Sequence, residues 1–320
     1  MLQVGYTLSS EEHAPGDLLL YGRVAEESGF DFLTISDHFH PWISRQGQSP
    51  LVWSVLGGLS VKTEKVPIVT AVTCPTIRIH PAIVAQAAAT TAALLPDRFV
   101  LGLGSGENLN EHVVGMGWPP PEERLDMLEE AIELIRTLWT GEVVTERTDH
   151  FTVDRARLYT LPETSPPIAV AASTAAAAKL AGRAGDALIS TAPDAEIVNA
   201  FREAGGEDGP VYGQVTVCYG PEEEKAKQEA LEWWPNTSVP GETGVELAEP
   251  QHFEEVAELV TADMVAEKVV CGPGTEPILE KIGSFVDAGF DHVFLHQVGP
   301  RQEEFLAFAK DELLPAIDRG

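Results

Sequence analysis

ESGFDFLTIS at residues 27–36 and DAGFDHVFLH at residues 287–296 are two copies of one unit near opposite ends of the chain. Each reads as a helix end, a glycine, Phe-Asp, and then an apolar run. The glycine supplies the left-handed conformation that stops a helix, and the apolar run that follows fits a strand entering a sheet buried on both faces. That is the grammar of a βα repeat. Two copies so far apart suit a closed ring of such repeats.

Strand-like runs recur between them: Gln3–Thr7, Phe32–Ile35, Ile68–Val72, Phe99–Leu103, Ile168–Ala172, Ala187–Thr191, Val211–Val217 and Val293–His296. Helix-like segments alternate with these runs. Leu125, Leu128, Ile132, Ile135 and Trp139 step by three and four, so they line one face of a helix that Gly141 ends. Ile278, Ile282, Phe285 and Val286 do the same before Gly289. No low-complexity linker divides the chain. The sequence therefore predicts one α/β domain over residues 1–320, a single (β/α)8 TIM-like barrel. An insertion near residues 232–262 holds WWPNTSVPGETG, reads as irregular, and suits a lid or an oligomer contact.

The composition, 44% hydrophobic and 22% charged over 320 residues, is that of a packed globular protein. No run reaches the roughly 18 uncharged apolar residues of a membrane span, and MLQVGYTLSS lacks the basic start of a signal peptide. The expected location is the cytoplasm. Cys74, Cys218 and Cys271 are odd in number and widely spaced, which fits buried thiols rather than disulfides or a metal site. Fifty acidic against 21 basic residues give a net charge of −29, and the acids are spread along the chain. Such a surface repels nucleic acid and anionic membranes. At about 1 M salt the Debye length falls to roughly 3 Å and the self-repulsion is screened, so the acidity fits a halophilic cytoplasm.

Chemistry-bearing residues gather at strand ends. FVLGLGSGENLNEH, residues 99–112, follows a strand but fails the dinucleotide fingerprint, because Glu107 stands where the third glycine belongs. As a barrel loop it offers backbone N–H groups and the Glu107 carboxylate to a flat heterocycle; the plainer alternative is a tight turn with an exposed acid. ISDHFHPW, residues 35–42, ends a strand with an acid, two histidines and an indole. A metal site would need a third ligand. His38 titrates near neutrality and so can move a hydroxyl proton, the alternative being a satisfied core histidine. AVAASTAAAAK, residues 169–179, places Ser173 and Thr174 before a helix whose free N–H groups suit an anion.

Taken in order, GYTLSSE, SDHFHPW, TAVTCPT, GLGSGENLNE and AASTAAAAKLAGRAGD resemble the coenzyme F420-dependent oxidoreductases of the luciferase-like monooxygenase superfamily, over essentially the whole chain. The resemblance implies a usually dimeric barrel, here a homodimer, that binds the deazaflavin F420 at its mouth and transfers a hydride to or from a small-molecule substrate. It implies His38, Trp42 and Glu107 as catalytic residues, with His38 as acid/base, and Glu11 facing the substrate beside His38 and Trp42. Asp37 would flank the ring, and Ala71, Val72 and Cys74 would back it, with a non-proline cis bond at Ala71–Val72. Ser105, Gly106, Glu107 and Asn110 would meet the pyrimidine end, and Ala171, Ala172, Ser173 and Thr191 the phosphate-bearing side chain. The chain also departs from the family's sugar-phosphate oxidisers: Asp194 and Gly244 stand where those carry phosphate-binding lysines, and Lys268 where they carry an arginine. Two lost cations forfeit charge-assisted bonds of roughly 1.5–3 kcal/mol each, so the expected substrate is an uncharged alcohol, ketone or sugar. The alternatives are an F420-dependent sugar-phosphate dehydrogenase, an FMN-dependent monooxygenase and a non-catalytic flavin or deazaflavin carrier.

Overall fold

The computed structural model describes residues 1–319. Eleven strands follow in chain order. They are β1 (Gln3–Leu8), β2 (Phe32–Ile35), β3 (Ile68–Thr70), β4 (Phe99–Leu103), β5 (Val144–Arg147), β6 (Thr152–Ala156), β7 (Ile168–Ala171), β8 (Ala187–Ser190), β9 (Val211–Cys218), β10 (Val270–Cys271) and β11 (His292–Gln297). The main sheet runs β9-β11-β1-β2-β3-β4-β7-β8 in parallel, and β8 pairs back onto β9, which closes an eight-stranded barrel. All eight expected strands are the barrel staves. Beyond them, β10 adds to the edge of β9, and β5 and β6 form an antiparallel hairpin.

The repeated Gly-Phe-Asp unit now has a physical account. Gly29 and Gly289 cap their helices at φ 96° and 97°. The aspartate that follows reaches across the bottom of the barrel to an N–H at the start of a neighbouring stave. Val4 N donates to Asp31 Oδ2 and Val211 N to Asp291 Oδ1, both at 2.8 Å. Asp186 does the same for Ile168 N, also at 2.8 Å. An N–H at the start of a strand that finds no ladder partner still needs one, and these carboxylates supply it.

The staves bury both faces. Their outer face packs under the helices, where Pro121–Leu138 contributes Leu128, Ile132, Ile135 and Leu138, each below 3% exposed. Fully burying such a side chain is worth about 1.5–3 kcal/mol. Gly141 follows that helix at φ 76°, as its place in the sequence predicts. Inside the barrel, Phe32, Val69, Ala169, Ile189, Tyr212 and Phe294 form a separate apolar layer. Above it the interior turns polar, so the buried floor sets the depth of a mouth at the C-terminal ends of the staves.

The insertion differs from the expected irregular excursion. Residues 235–266 fold into short helical segments at Pro235–Ser238, Gly241–Glu246, Pro250–Ala257 and Ala262–Ala266. Phe253, 1% exposed, seats them on Ile43, Leu109 and Val239. Ser44 N donates to Glu254 Oε1 at 2.7 Å, and Asn108 Nδ2 to the Glu246 carbonyl at 3.0 Å. The insertion thus rests on the loops after β2 and β4.

Expected β3 stops two residues early, at Thr70, and the Ala71–Val72 bond beyond it is cis. At that height β3 and β4 approach closely. A Cβ on Gly102 would fall inside the van der Waals radius of the Thr70 carbonyl oxygen, a backbone atom that cannot give way. Gly102→Ala is therefore expected to destabilise the protein by at least about 3 kcal/mol. Gly283→Ala, in the open interior of the helix Glu276–Asp287, is expected to stabilise by about 0.5–1 kcal/mol. Thermal melts of the two variants check both signs.

Candidate active site

His38 leaves the end of β2 and enters a gap between two carboxylates. Its Nε2 lies 3.2 Å from Glu11 Oε1 and 3.6 Å from Glu107 Oε2. Glu11 comes from the loop after β1, and Glu107 from the loop after β4. Glu11 is held by Ser36 Oγ at 2.6 Å and Ser9 Oγ at 3.1 Å, both donating to Oε2. The side chains are 4% exposed for Glu11, 10% for His38 and 31% for Glu107, so only Glu107 opens substantially toward solvent.

The other ring nitrogen is also provided for, and Asn110 is the reason. Its Oδ1 accepts from Phe39 N at 2.8 Å and His40 N at 3.2 Å, which fixes the amide's orientation. Its Nδ2 then donates to Glu107 Oε2 at 3.1 Å and faces His38 Nδ1 at 3.2 Å. The His40 carbonyl lies equally close to Nδ1, at 3.2 Å. A protonated Nδ1 can donate to that carbonyl, and a bare Nδ1 can accept from Asn110. The imidazole therefore gains or loses a proton without moving.

Charge follows the same geometry. Burial alone would lower the His38 pKa, but the carboxylates of Glu11 and Glu107 and the His40 carbonyl outweigh it and hold it above the ordinary histidine value. Burial would raise Glu11, yet His38 and the Ser36 hydroxyl keep it below the usual carboxylate range. Glu107 is pushed up by desolvation, and Glu11's negative charge adds to that, while His38 opposes it; its partial opening to solvent tempers the effect.

Trp42 flanks the trio, its ring 5.0 Å from that of His38, and Phe253 of the insertion meets it edge-on at 5.2 Å. Gln46, 2% exposed, accepts from Trp42 N at 2.8 Å and donates to the Trp233 carbonyl at 3.0 Å, which ties the Trp42 backbone to the end of the helix Glu223–Trp233.

The remaining candidates separate into two layers. Ala71, Val72, Ser105, Gly106 and Ala171 are half-exposed at the mouth, and Ser173 and Thr191 are exposed on its rim. Ala172 and Asn110 lie beneath. Asp37 and Cys74 turn their side chains inward. Asp37 accepts from Arg78 Nη2 at 3.0 Å and from Thr73 Oγ1 at 2.8 Å. Cys74 packs on Gly106 and meets the Thr76 hydroxyl at 3.1 Å, and burial pushes its thiol well up, so it is no nucleophile. Gly106 has φ 83°, and Cys74 Sγ occupies the place of its missing Cβ. The glycines of GLGSG thus serve close packing rather than a dinucleotide.

Sequence reasoning missed Arg78, Glu111 and Gln46. Arg78, 8% exposed, bridges Asp37 and Glu111, its Nε 3.5 Å from Glu111 Oε1, while its own backbone N–H donates to Glu111 Oε2 at 2.6 Å. This knot ties together the loops after β2, β3 and β4. An arginine in an otherwise apolar run, TCPTIRIHP, was its one visible sign. At the rim, Thr174 Oγ1 caps the helix Ala175–Ala184 by accepting from Ala177 N at 3.3 Å. The N–H groups of Ala175 and Ala176 remain at exposed positions in the first turn. Asp194 likewise caps the helix Ala195–Glu203, accepting from Glu196 N at 2.8 Å.

Comparison with known proteins meets this geometry from outside. The family model described as luciferase-like monooxygenase matches residues 2–292. An F420-dependent glucose-6-phosphate dehydrogenase of Microbacterium testaceum is 36% identical, with 99% of this chain and 97% of that protein covered. A solved F420-dependent secondary alcohol dehydrogenase, in complex with an F420-acetone adduct, superposes with a TM-score of 0.92 at 32% identity, covering 99% of both chains. The coenzyme F420-dependent tetrahydromethanopterin reductase of Methanopyrus kandleri shares the fold, with a TM-score of 0.79 at 20% identity over 99% of both chains.

The carboxylate pair has a measurable signature. The His38 imidazole is expected to titrate above the ordinary value of about 6.5. Its ion-pair contribution to stability is complete below that value and is lost as pH rises through the raised folded-state value. Glu107→Gln removes one of the two stabilising charges, so it should move the titration downward. Histidine-selective NMR titration of the two proteins checks the direction; an unchanged or higher midpoint in the variant contradicts it.

Proposed function

The chain belongs to the luciferase-like monooxygenase family, and from that membership and the chemistry of its mouth we propose that it is one barrel domain, residues 1–320, acting as a coenzyme F420-dependent oxidoreductase on a small uncharged alcohol, ketone or sugar. The observation that carries the reading is His38, its Nε2 clasped by Glu11 and Glu107 and its Nδ1 beside the His40 carbonyl that can accept the Nδ1 proton. A residue so placed serves a reaction in which a hydroxyl proton and a hydride leave one carbon, because it can take the proton without rearrangement.

The residues present fit the cofactor. The exposed first-turn N–H groups of Ala175 and Ala176, with the Ser173 hydroxyl, offer donors to the phosphate of its side chain. Ala71, Val72 and Ala171 present small half-exposed faces for a planar ring, and Ser105, Gly106 and Glu107 present backbone and carboxyl groups for its polar edge. When bound, the deazaflavin supplies the hydride acceptor or donor. The protein does the rest. His38 Nε2 takes or returns the hydroxyl proton while Nδ1 keeps its own proton on the His40 carbonyl, the Glu11 and Glu107 carboxylates steady the imidazolium, and Glu107, the more open of the two, faces the ring's polar edge. Trp42, backed by Phe253, excludes water from the reacting side.

The uncharged substrate rests on the cations. Asp194 caps a helix where its carboxylate would repel a phosphate, and the Arg78 guanidinium is committed to Asp37 and Glu111. Purified protein is expected to bind F420 at least a hundredfold more tightly than FMN, read by ring fluorescence. His38→Ala should slow single-turnover hydride transfer by roughly 10²–10⁴-fold with F420 affinity little changed. Equal affinity for the two cofactors, or tight FMN alone, would sink the assignment and favour an FMN monooxygenase.

The chain's acidity also bears on its assembly in the cytoplasm. The adjoining helices Val52–Ser60 and Pro81–Leu94 carry no charged residue, although the protein's net charge is −29. Leu51, Ile83 and Leu94 stand more than half exposed along that face. Two equally acidic bodies repel over most of their surface, so this face is where a second copy docks to form a homodimer. In a halophilic cytoplasm, screening favours both folding and pairing. Sedimentation and melting in 0.1 M and 2 M KCl should show a dimer and a melting temperature that climbs with salt; a monomer in both, or a flat melting temperature, contradicts this.

A further inference from the structure

Glu11 is followed directly by Glu12, and the two divide the mouth between them. Glu11 pairs with His38; Glu12 faces a second histidine, His296, near the end of β11. Gly299 N donates to Glu12 Oε1 at 2.8 Å, which fixes the carboxylate with Oε2 3.7 Å from His296 Nε2. Both side chains are at least 96% buried, and neither of those two atoms has a hydrogen-bond partner. A carboxylate facing Nε2 favours the tautomer with its proton on that nitrogen, in which Nδ1 is an acceptor.

That tautomer orients a third residue. Gln214 Nε2 lies 3.4 Å from His296 Nδ1 and donates to Thr216 Oγ1 at 3.2 Å. With the amide nitrogen turned to the wall, Oε1 faces away from it, and no residue among those described donates to Oε1. On β9, Tyr212, Gln214 and Thr216 share the inward face, as Phe294 and His296 do on β11, with Phe294 opposite Gln214 and His296 opposite Thr216. Tyr212 and Phe294 belong to the sealed inner floor. Gln214 and Thr216, one layer higher, stay half-exposed although the barrel surrounds them. Solvent reaches them through the mouth. Trp234 meets the His296 ring at 4.6 Å and shares an apolar cluster with Trp42, the neighbour of His38, so the two histidines flank one opening.

We propose that Gln214, oriented by the Glu12–His296 pair, is a specificity-determining residue that accepts a hydrogen bond from a second hydroxyl of the substrate, which makes the substrate a neutral polyol or sugar rather than a monofunctional alcohol. The inference rests on the activity proposed above. A free acceptor inside a barrel selects for a donor, because a substrate lacking one leaves a desolvated carbonyl unpaired. His296 and Glu12 are positioning residues in this scheme, and Thr216 completes the amide's anchorage.

The test compares D-glucose with 2-propanol as hydride donors to F420 in the full-length protein. For the wild type kcat/KM should favour glucose, and in Gln214→Leu the glucose-to-2-propanol ratio should fall roughly tenfold. Glu12→Gln, which frees the histidine's tautomer, should lower the same ratio, whereas a purely structural Glu12 would depress both substrates in parallel. Gln214→Met, unbranched and of similar length, replaces the leucine variant if that fails to fold. A ratio unchanged in the Gln214 variant, or a wild type that prefers 2-propanol, overturns the proposal. If neither compound reduces F420, the proposed activity has failed, and glucose binding to the protein alone judges the subsite. Ligand-observed NMR should then show binding at least tenfold weaker in Gln214→Leu than in wild type; equal affinity, or no binding to wild type, overturns it.

Discussion

A parallel sheet closed on itself has no edge and no polar face, so side chains that must stay polar have one place to converge, the C-terminal rim. Everything in this protein's candidate site follows from that constraint. The inner floor of Phe32, Tyr212 and Phe294 seals the barrel from below, and the helices seal it from outside. Glu11, Glu12, His38, Glu107, Gln214 and His296 lie on five separate staves or their loops, yet they meet because parallel strands end together. A low local dielectric makes each of their contacts count for more than it would in water.

The bottom of the barrel obeys the opposite logic. There the aspartates Asp31, Asp186 and Asp291 satisfy strand-initial N–H groups and take no part in chemistry. The Gly-Phe-Asp repeat was therefore legible as a fold signal long before its reason was. Eight staves could be read because each holds a cluster of apolar and β-branched residues and alternates with a helix-like segment. The hairpin of β5 and β6 could not, since its strands, VTER and TVDRA, expose most residues on both sides and so carry no burial pattern. The insertion was misjudged for a related reason: proline- and glycine-rich sequence looks irregular, but Phe253 and its apolar neighbours, with two hydrogen bonds from the loops, seat short helices on the loops beneath.

The site divides in the same way. Residues whose side chains act at the mouth, such as His38, Trp42 and Glu107, announced themselves as unusual types at strand ends. Residues that hold others in place did not. Arg78 and Glu111 act through loops distant in sequence, and Gln46 reaches Trp233 across 187 positions. Asn110 was expected near the cofactor, yet its role in fixing both the His38 loop and the Glu107 carboxylate depends on which way its amide points. Only the backbone N–H groups of Phe39 and His40 reveal that.

This dependence of amide orientation on a neighbour's protonation links the two halves of the mouth. At Asn110 two backbone donors set the amide, and the histidine adapts to it; His38 is thereby free to change its proton state. At Gln214 the order is reversed. There Glu12 sets the histidine, and the histidine sets the amide. The first arrangement leaves a histidine that can cycle, as proton transfer requires, and the second leaves an amide that cannot turn, as discrimination requires. Consecutive glutamates after a single strand thus serve opposite ends, because one faces a ring with two alternative partners and the other a ring with one.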